Sequence, residues 1–279
     1  MASLREHGPS LPINIALYLQ RLGYAGVLTL DPVALGDLHE AHVLAVPFED
    51  LDVHLGIPIT LDLDALYRKI VVNRRGGFCY ELNALFCHFL QHVGYDATTI
   101  AARICTPSGL GPAYDHMAIC VQLDTPWLLD VGFGDLFRRP LEIIPGVIQF
   151  DGFQYFRIQQ LASETFSLWM SPDAVVFEEK YVFQTAAVPL NCFQAQCLLK
   201  QTSPSSYFVQ NVVCTKPTSL GRKTLFNHSL TLRTGEYKRV VVLTSISELV
   251  QTLAREFEVD IFPYKDPLLS DRWFPPVRE

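Results

Sequence analysis

Two features typical of proteins that bind nucleic acid or cross membranes are missing from this sequence of 279 residues. Its 22 lysines and arginines never form a run longer than a pair, and its 29 aspartates and glutamates give a net charge of −7. Nucleic-acid-binding surfaces are usually basic stripes, so we expect no nucleic acid partner. No apolar run reaches the about 20 residues that a membrane-spanning helix needs, so we expect no membrane partner either.

The N-terminus also lacks the pattern of a secretory signal. Arg5, Glu6 and His7 precede only a short apolar stretch, and no small-residue cleavage site follows a long apolar region. The seven cysteines are an odd number, and several lie in apolar segments such as ALFCHFL and AICVQL. These features favour reduced thiols in a protein that is not exported, and we expect a cytoplasmic location.

Cysteines and histidines at the separations typical of metal-binding motifs are nearly absent as well. Cys87, His88 and His92 lie within six residues, and the two histidines share a helical face. Neither a Cys-x-x-Cys pair nor a His-Glu-x-x-His helix accompanies them. A helix surface therefore explains these residues better than a ligand role, and we expect no metal.

Helical periodicity dominates the first third of the chain. The segment INIALYLQRLGY predicts a helix that ends at Gly23, and Asp31-Pro32 supplies the N-cap and first position of a second helix. The segment LDLDALYRKIV predicts a third. An apolar stripe over residues 82–93 predicts a fourth, which ends at Gly94.

The rest of the chain changes its pattern twice. After Gly94, short β-branched and apolar segments alternate with turn residues from ATTIAARIC to YVFQT, which predicts an antiparallel sheet or barrel. Beyond Pro204, the strand-like segments SYFVQNVVCT, SLTLR and KRVVVLT precede an amphipathic helix, SISELVQTLAREF, that Ser245 or Ser247 could cap. We expect a mixed α+β fold of three closely packed domains, over residues 1–94, 95–203 and 204–279.

Cys79 has the setting of a reactive thiol. It lies at or just before the start of the helix over residues 82–93, where free N–H groups and the helix dipole stabilise a thiolate. Gly76 and Gly77 precede it in the segment RRGGFCYELN and permit close backbone approach.

A base and a carboxylate for this thiol are available in two strands. His116 begins the segment HMAICVQL, and Asp130 lies in the otherwise apolar WLLDVGFG, where a carboxylate needs a partner. A three-residue loop would put both on one side of the sheet, but it sets Asp130 opposite Cys120, about 13 Å along the strand from His116. The pairing then requires a bulge or a shifted turn.

Each of these residues also has a simpler explanation. A cysteine at a helix start, or a histidine in a strand, is more often structural than catalytic. The glycine pair before the thiol, together with the carboxylate in an apolar strand, makes a Cys-His-Asp triad an equal alternative.

Around these residues the sequence resembles the arylamine N-acetyltransferase family. The likeness includes RGGFCYELN at 75–83, DHM at 115–117 and LLDVGFG at 128–134, which hold Cys79, His116 and Asp130 in the order of that family's catalytic triad. VPFEDLDVHLG at 46–56 and CTKPTSLGRKTL at 214–225 extend it over most of the chain.

The resemblance implies an architecture and a reaction. The architecture is an N-terminal helical bundle, a central antiparallel β-barrel and a C-terminal α/β lid, with a cysteine-protease-like triad. The reaction is a ping-pong transfer in xenobiotic metabolism: Cys79 takes the acetyl group of acetyl-CoA and passes it to an aromatic amine or hydrazine. Acetyl-CoA is then a substrate, and no metal takes part.

The resemblance also implies roles for residues outside the triad. Glu49 and Arg75 match an internal ion pair, and Phe48 and Phe133 match residues that line the amine pocket. The loop TPSGLGPAYDH matches the segment near the coenzyme A pyrophosphate, which assigns cofactor contacts at Gly109, Gly111 and Pro112. Asp50 replaces the asparagine that family members commonly carry, which affects local hydrogen bonding only.

Three other functions remain open at this stage. An amide synthase of the same family would close a macrolactam with the same triad. A thiol hydrolase or transglutaminase-like enzyme would pass the acyl group to water or to another amine. A binding protein that retains only the fold is disfavoured by the presence of all three triad residues.

Overall fold

A computed structural model describes residues 13–135 and 137–261 of the chain. The segment Arg5 to His7, used above in the expectation about export, lies outside these residues. The described helices are α1 (Ile15–Leu22), α2 (Pro32–Ala45), α3 (Leu51–Leu55), α4 (Leu63–Tyr67), α5 (Cys79–Val93), α6 (Gln194–Thr202), α7 (Tyr207–Gln210) and α8 (Ile246–Thr252). Helices α4 and α8 continue into wider turns over Arg68–Val72 and Leu253–Phe257, and a 3₁₀ turn, Leu190–Phe193, precedes α6.

The strands form two antiparallel sheets. Their strands are β1 (Phe48–Glu49), β2 (Asp96–Thr106), β3 (Gly109–Leu110), β4 (His116–Gln122), β5 (Pro126–Leu129), β6 (Leu141–Glu142), β7 (Ile148–Phe150), β8 (Tyr155–Ala162), β9 (Thr165–Ser171), β10 (Glu178–Ala187), β11 (Val213–Thr218), β12 (Gly221–Phe226), β13 (Ser229–Thr234) and β14 (Tyr237–Val242). The larger sheet has the order β6-β5-β4-β2-β10-β9-β8-β7, with β3 paired to β2, and the smaller has the order β1-β11-β12-β13-β14.

Local capping chemistry sets the ends of the first helices. Asp31 accepts the N–H groups of Val33 and Ala34 at 2.9 Å, and Pro32 occupies the first position of α2. Gly94 adopts the left-handed conformation and ends α5. These ends confirm the predictions from the sequence. The short helix α3 has no counterpart among the predicted elements.

The larger sheet curls into a nearly closed barrel around its own core. Alternation along β4 divides its side chains: Met117 and Ile119 pack with α5 in the helical core, while Ala118 and Cys120 face the barrel interior. The side-chain amide of Gln149 on β7 accepts the N–H of Glu142 on β6 at 2.9 Å and donates to the Glu142 carbonyl at 2.8 Å. These two bonds join the two edge strands of the sheet.

The smaller sheet and α8 build the C-terminal layer around a third core that includes Leu51. Ser245 caps α8 by accepting the N–H of Glu248, one of the two predicted choices. The segment SYFVQNVVCT is wrong as a continuous strand, because Tyr207–Gln210 is helical and only Val213–Thr218 is extended. Helix α6 was not predicted. The mixed fold of helical bundle, antiparallel barrel and α/β lid is confirmed, whereas the exact domain boundaries stay a prediction.

Candidate active site

Cys79 is the first residue of α5 and is buried. Glu81, two residues later, accepts the N–H of Phe78 at 3.1 Å and fixes the chain where the helix begins. The N–H groups of the first turn have no partner within the helix, so they present partial positive charge to the sulfur. The positive end of the α5 dipole therefore lies at the Cys79 sulfur.

His116, the first residue of β4, bridges the thiol and a carboxylate. Its Nε2 lies 2.6 Å from Oδ2 of Asp130, which leaves Nδ1 for the neighbouring Cys79 thiol. Burial lowers the pKa of His116, but the charge and hydrogen bond of Asp130 and the contact with Cys79 raise it to about 10. The imidazolium form is therefore favoured beside the thiol.

The strand register explains how Asp130 reaches His116. Cys120 pairs with Leu128 and Ile119 with Leu129, so the pairing of Asp130 with Cys120 expected from the sequence is wrong by two residues. This register, continued one residue past β5, puts Asp130 level with Ala118, two residues from His116 instead of four. The two side chains span the remaining distance, so neither a bulge nor a longer loop is needed.

Tyr80 joins the two elements that carry the thiol and the imidazole. Its hydroxyl lies 2.8 Å from the carbonyl oxygen of Tyr114 and 3.0 Å from that of Asp115. These carbonyls immediately precede His116, so the start of α5 is held directly against the start of β4.

Asn83 holds the carboxylate from the same helix. Its Nδ2 donates to Oδ1 of Asp130 at 2.9 Å and to the Met117 carbonyl at 2.6 Å, while its Oδ1 accepts the N–H of Val131 at 3.0 Å. Asn83 is fully buried, and it follows Cys79 by one helical turn. Asn83 was not predicted from the sequence, although a polar amide on the apolar face of a predicted helix was the signal available.

Two glycines permit the close packing of this site. A Cβ on Gly132 would lie 2.7 Å from Cα of Cys79 and 2.9 Å from its carbonyl oxygen. A Cβ on Gly76 would lie 2.1 Å from the Pro47 carbonyl oxygen. Gly76 therefore lets the segment before Cys79 pack closely on the residue that precedes β1. Gly132 likewise lets the turn after Asp130 pack directly on the backbone of Cys79.

Glu49 and Arg75 form a buried ion pair, as the resemblance implied. Nε of Arg75 lies 2.9 Å from Oε1 of Glu49, and Nη2 lies 3.1 Å from Oε2. Asp52 accepts from Arg75 at 2.7 Å, and Lys69 lies 2.7 Å from both Asp52 and Glu81. Burial raises the pKa of Glu81 to about 7 against the opposing charge of Lys69. These buried ion pairs form one network, and three of its members were not predicted from the sequence: Asp52, Lys69 and Glu81.

Of the two predicted pocket residues, Phe133 lies beside His116, and Phe48 belongs to the same hydrophobic core as Cys79. Phe133 packs edge-on against His116 at 5.3 Å between ring centroids. Phe48 lies 6.0 Å from Phe208 of α7, which also packs against Phe78 at 5.8 Å. Phe208 was not identified from the sequence, since it belongs to the segment misread as a strand.

The residues predicted to contact coenzyme A lie in the hairpin that leads to β4. Gly109 is exposed with φ +115°, and the Gly111 carbonyl accepts from Arg103 at 2.7 Å. Pro112 follows and is exposed. Asp115 lies against Gly111 and pairs with Lys200 of α6 at 2.6 Å, which fixes the end of this hairpin nearest His116.

Residues 13–135 and 137–261 contain no group of three or more His, Cys, Asp or Glu side chains placed to hold a metal ion. The rings of His88 and His92 lie 4.2 Å apart, while Cys87 is buried in the helical core. In the same described part of the chain, no helix is both long and apolar enough to span a membrane.

Comparisons with known proteins agree over most of the chain. A family model described as N-acetyltransferase matches residues 31–264. The pineal gland arylamine N-acetyltransferase isozyme NAT-3 of Gallus gallus is 31% identical, over 93% of this chain and 99% of its own. Arylamine N-acetyltransferase 1 of Homo sapiens is 28% identical, over 94% and 99%. The structure of the Mycobacterium marinum arylamine N-acetyltransferase in complex with CoA superposes with a TM-score of 0.85 at 27% identity, covering 93% of this chain and 98% of that one.

Proposed function

Because this chain belongs to the arylamine N-acetyltransferase family and is an acyltransferase, we propose that it moves an acetyl group from acetyl-CoA to an aromatic amine or hydrazine through Cys79. The observation that carries this proposal is the buried His116, held between Asp130 and the Cys79 thiol at the start of α5. This arrangement supplies a nucleophile, a proton carrier and an orienting carboxylate.

In the first half-reaction the Cys79 thiolate attacks the thioester carbonyl carbon of acetyl-CoA. The carbon–sulfur bond to coenzyme A breaks, His116 gives its proton to the departing thiolate, and the acetyl group remains on Cys79. The backbone N–H of Cys79, at the positive end of α5, is the donor that we assign to the developing oxyanion.

In the second half-reaction the amine nitrogen attacks the acetyl-cysteine. Neutral His116 takes a proton from this nitrogen as the Cys79 thiolate leaves, which restores the imidazolium–thiolate pair. Asp130 holds the imidazole by Nε2 and stabilises its charged form in both half-reactions, and Asn83 fixes the carboxylate.

The remaining predicted contacts belong to this proposal. Phe48 and Phe133 are proposed to line the amine pocket: Phe133 packs on His116, Phe48 shares a core with Cys79, and stacking on their rings suits a planar substrate. Gly109, Gly111 and Pro112 are proposed to contact coenzyme A, because their hairpin ends at Asp115 beside His116. Glu49 and Arg75 support the start of α5 without touching substrate. The cytoplasmic location and the role in xenobiotic metabolism stay predictions.

The proposal is tested by intact-mass measurement after incubation with acetyl-CoA, with and without an aromatic amine. We expect one added acetyl group on the wild-type chain, lost on addition of amine with formation of the acetylated amine. Cys79→Ser should carry no acetyl group. Rapid loss of the acetyl group to water without amine would indicate a hydrolase, and acetylation of Cys79→Ser would place the nucleophile elsewhere.

A further inference from the structure

His39 on α2 is a buried histidine outside the triad, and both of its ring nitrogens are occupied. Nδ1 lies 2.8 Å from the Arg138 carbonyl oxygen, and Nε2 lies 3.3 Å from the backbone nitrogen of Asp130. Because a carbonyl can only accept, Nδ1 carries the hydrogen and Nε2 accepts the N–H of Asp130. The two contacts therefore fix one neutral tautomer.

The backbone at Arg138 is itself anchored. Its N–H donates to Oδ2 of Asp151 at 2.7 Å, and Asp151 also accepts the N–H groups of Phe153 and Gln154 at 2.9 and 2.8 Å. Buried hydrogen bonds thus run from the barrel loop at Asp151, through Arg138 and His39, to Asp130. The His39 ring also stacks on Phe137 at 5.6 Å between centroids.

His39 keeps this role only while it is neutral. Burial lowers the pKa of His39 to about 4, although the Arg138 carbonyl and the charges of Asp130 and Asp151 oppose the shift. The other titratable group that faces it is His42, which is also buried. A protonated Nε2 would point a hydrogen at the N–H of Asp130, so loss of neutrality would break the contact.

We propose that His39 is a positioning residue that sets the Asp130 carboxylate against His116 by accepting the Asp130 N–H. The proposal rests on the function proposed above and deepens it. His39 touches no reacting atom and acts through the third member of the triad.

Three substitutions separate the hydrogen bonds of His39 from its packing. His39→Phe keeps an aromatic ring on Phe137 but removes both bonds. His39→Gln restores an acceptor near the position of Nε2, and His39→Asn restores only a donor near the position of Nδ1. His42→Phe is the matched control, because His42 lies one turn along the same helix, is buried, and has no hydrogen-bond partner at either ring nitrogen within residues 13–135 and 137–261.

The measurements are kcat and KM for an aromatic amine, and the pH profile of iodoacetamide labelling of Cys79. A lost buried hydrogen bond of usual size corresponds to about tenfold in rate. We expect His39→Phe to lower kcat by about tenfold at unchanged KM, and to move half-maximal labelling to higher pH. His39→Gln should recover most of both effects, His39→Asn little, and His42→Phe should match the wild type.

A wild-type labelling profile in His39→Phe would overturn the proposal, and so would equal behaviour of the Gln and Asn variants. An equal loss in His42→Phe would also overturn it, because packing of α2 would then be the cause. Circular dichroism checks that each variant is folded, and the Gln and Asn pair carries the test if His39→Phe is not. The labelling profile needs no acetyl-CoA, so a wild type that fails to become acetylated contradicts the proposed function without deciding the role of His39.

Discussion

His116 uses its two ring nitrogens for different partners, and this division determines what each substitution at the site should do. Nε2 faces Oδ2 of Asp130, whose Oδ1 accepts from Asn83 and from the N–H of Gly132 at 3.0 Å. Every carboxylate oxygen therefore accepts. An amide at this position has one acceptor too few, because its nitrogen must face a donor at one of the two sites.

Asp130→Asn should lower the rate of amine acetylation by about 10⁴-fold while the melting temperature changes modestly. The side chains have nearly the same shape, but the amide removes the charge that stabilises the imidazolium and can present an N–H to Nε2. Iodoacetamide labelling of Cys79 near pH 6 should slow for the same reason. Both quantities are measured on one purified variant.

Asp115→Asn is the control for labelling, because Asp115 adjoins His116 in sequence but pairs with Lys200. It should leave the labelling of Cys79 unchanged. If Asp130→Asn acetylates amines at a near-normal rate and labels like the wild type, Asp130 does not belong to the triad.

Gly132→Ala should reduce both activity and stability. The added Cβ meets backbone atoms of Cys79 and cannot be relieved by a side-chain rotation, so α5 and the Asp130 turn must separate. Overpacking of this kind costs about 1–3 kcal/mol of unfolding free energy. Urea unfolding measures the cost, and the acetylation rate per folded molecule measures the displacement of the nucleophile.

Gly146→Ala provides the comparison for this prediction. Gly146 has φ +80° and open space at its Cβ position, so its substitution strains the backbone without a clash. It should destabilise the chain and leave the rate per folded molecule unchanged. Wild-type activity in Gly132→Ala would show that the turn can move away without disturbing Cys79.

The start of helix α5 depends on buried charges as well as on its dipole. Glu81 binds the Phe78 N–H with one oxygen and Lys69 with the other, and Lys69 also pairs with Asp52. Burial opposes the charge on Lys69, but Glu81, Glu49 and Asp52 hold its pKa above the ordinary value. Helix α5, which begins at Cys79, is therefore anchored through Lys69 in the wide turn that continues α4.

Lys69→Met should destabilise the chain by about 3–5 kcal/mol, because it leaves the carboxylates of Asp52 and Glu81 buried with less compensation. Adding Glu81→Gln to this variant should recover part of the loss, since one uncompensated charge is removed. Urea unfolding of the two single variants and the double variant measures the coupling. Strictly additive losses would show that Lys69 and Glu81 do not stabilise each other.

At the scale of the whole molecule, Asp50 lies at the junction between the helical bundle and the lid. Its Oδ1 accepts the N–H of Val213 on β11 at 2.8 Å, while its buried Oδ2 has no hydrogen-bond partner in the part of the chain that the structure describes. Burial raises the pKa of Asp50 well above the ordinary value, despite the bond from Val213. The raised pKa favours the neutral acid at Asp50, the position at which the resemblance implied an asparagine.

Asp50→Asn should stabilise the protein, and the gain should grow with pH. Between the ordinary pKa of an aspartate, about 4, and the raised folded value, the folded chain binds a proton that the unfolded chain has lost. Wild-type stability therefore falls as pH rises through this window, whereas the amide does not titrate. We expect a gain of about 1 kcal/mol at pH 8 that vanishes near pH 4, measured by urea unfolding at several pH values.

Asp52→Asn should have the opposite effect near neutral pH. Although burial acts to raise it, Lys69 and Arg75 hold the pKa of Asp52 below the ordinary value, so its charge stabilises the fold. This loss of stability should disappear as the Asp52 carboxyl is protonated in acid.

For Asp50, a pH-independent difference in stability between Asp50→Asn and the wild type would mean that Asp50 is ionised in the folded chain.

The sequence predicted those parts of the structure that local chemistry decides. Asp31, Gly94 and Ser245 marked helix ends correctly because capping depends on neighbouring residues. The register expected for Asp130 was wrong by two residues, because the three-residue loop pairs Gln122 with Pro126 and so places Asp130 nearer to His116 than was expected. His39 and Asn83 contact Asp130 from distant positions in the chain. The residues next to them in the sequence therefore did not indicate that Asp130 would be their partner.

Strand β1 also determines when the site can be completed during synthesis. Phe48 and Glu49 belong to the first third of the chain, but their strand partners, Thr215 and Cys214, follow Cys79, His116 and Asp130 in the sequence. A nascent chain that already contains Cys79, His116 and Asp130 still lacks the strand that pairs with β1. Since synthesis proceeds from the N-terminus, the Cys79 thiol emerges before its surroundings are complete, and we expect activity to begin only after β11 has been made.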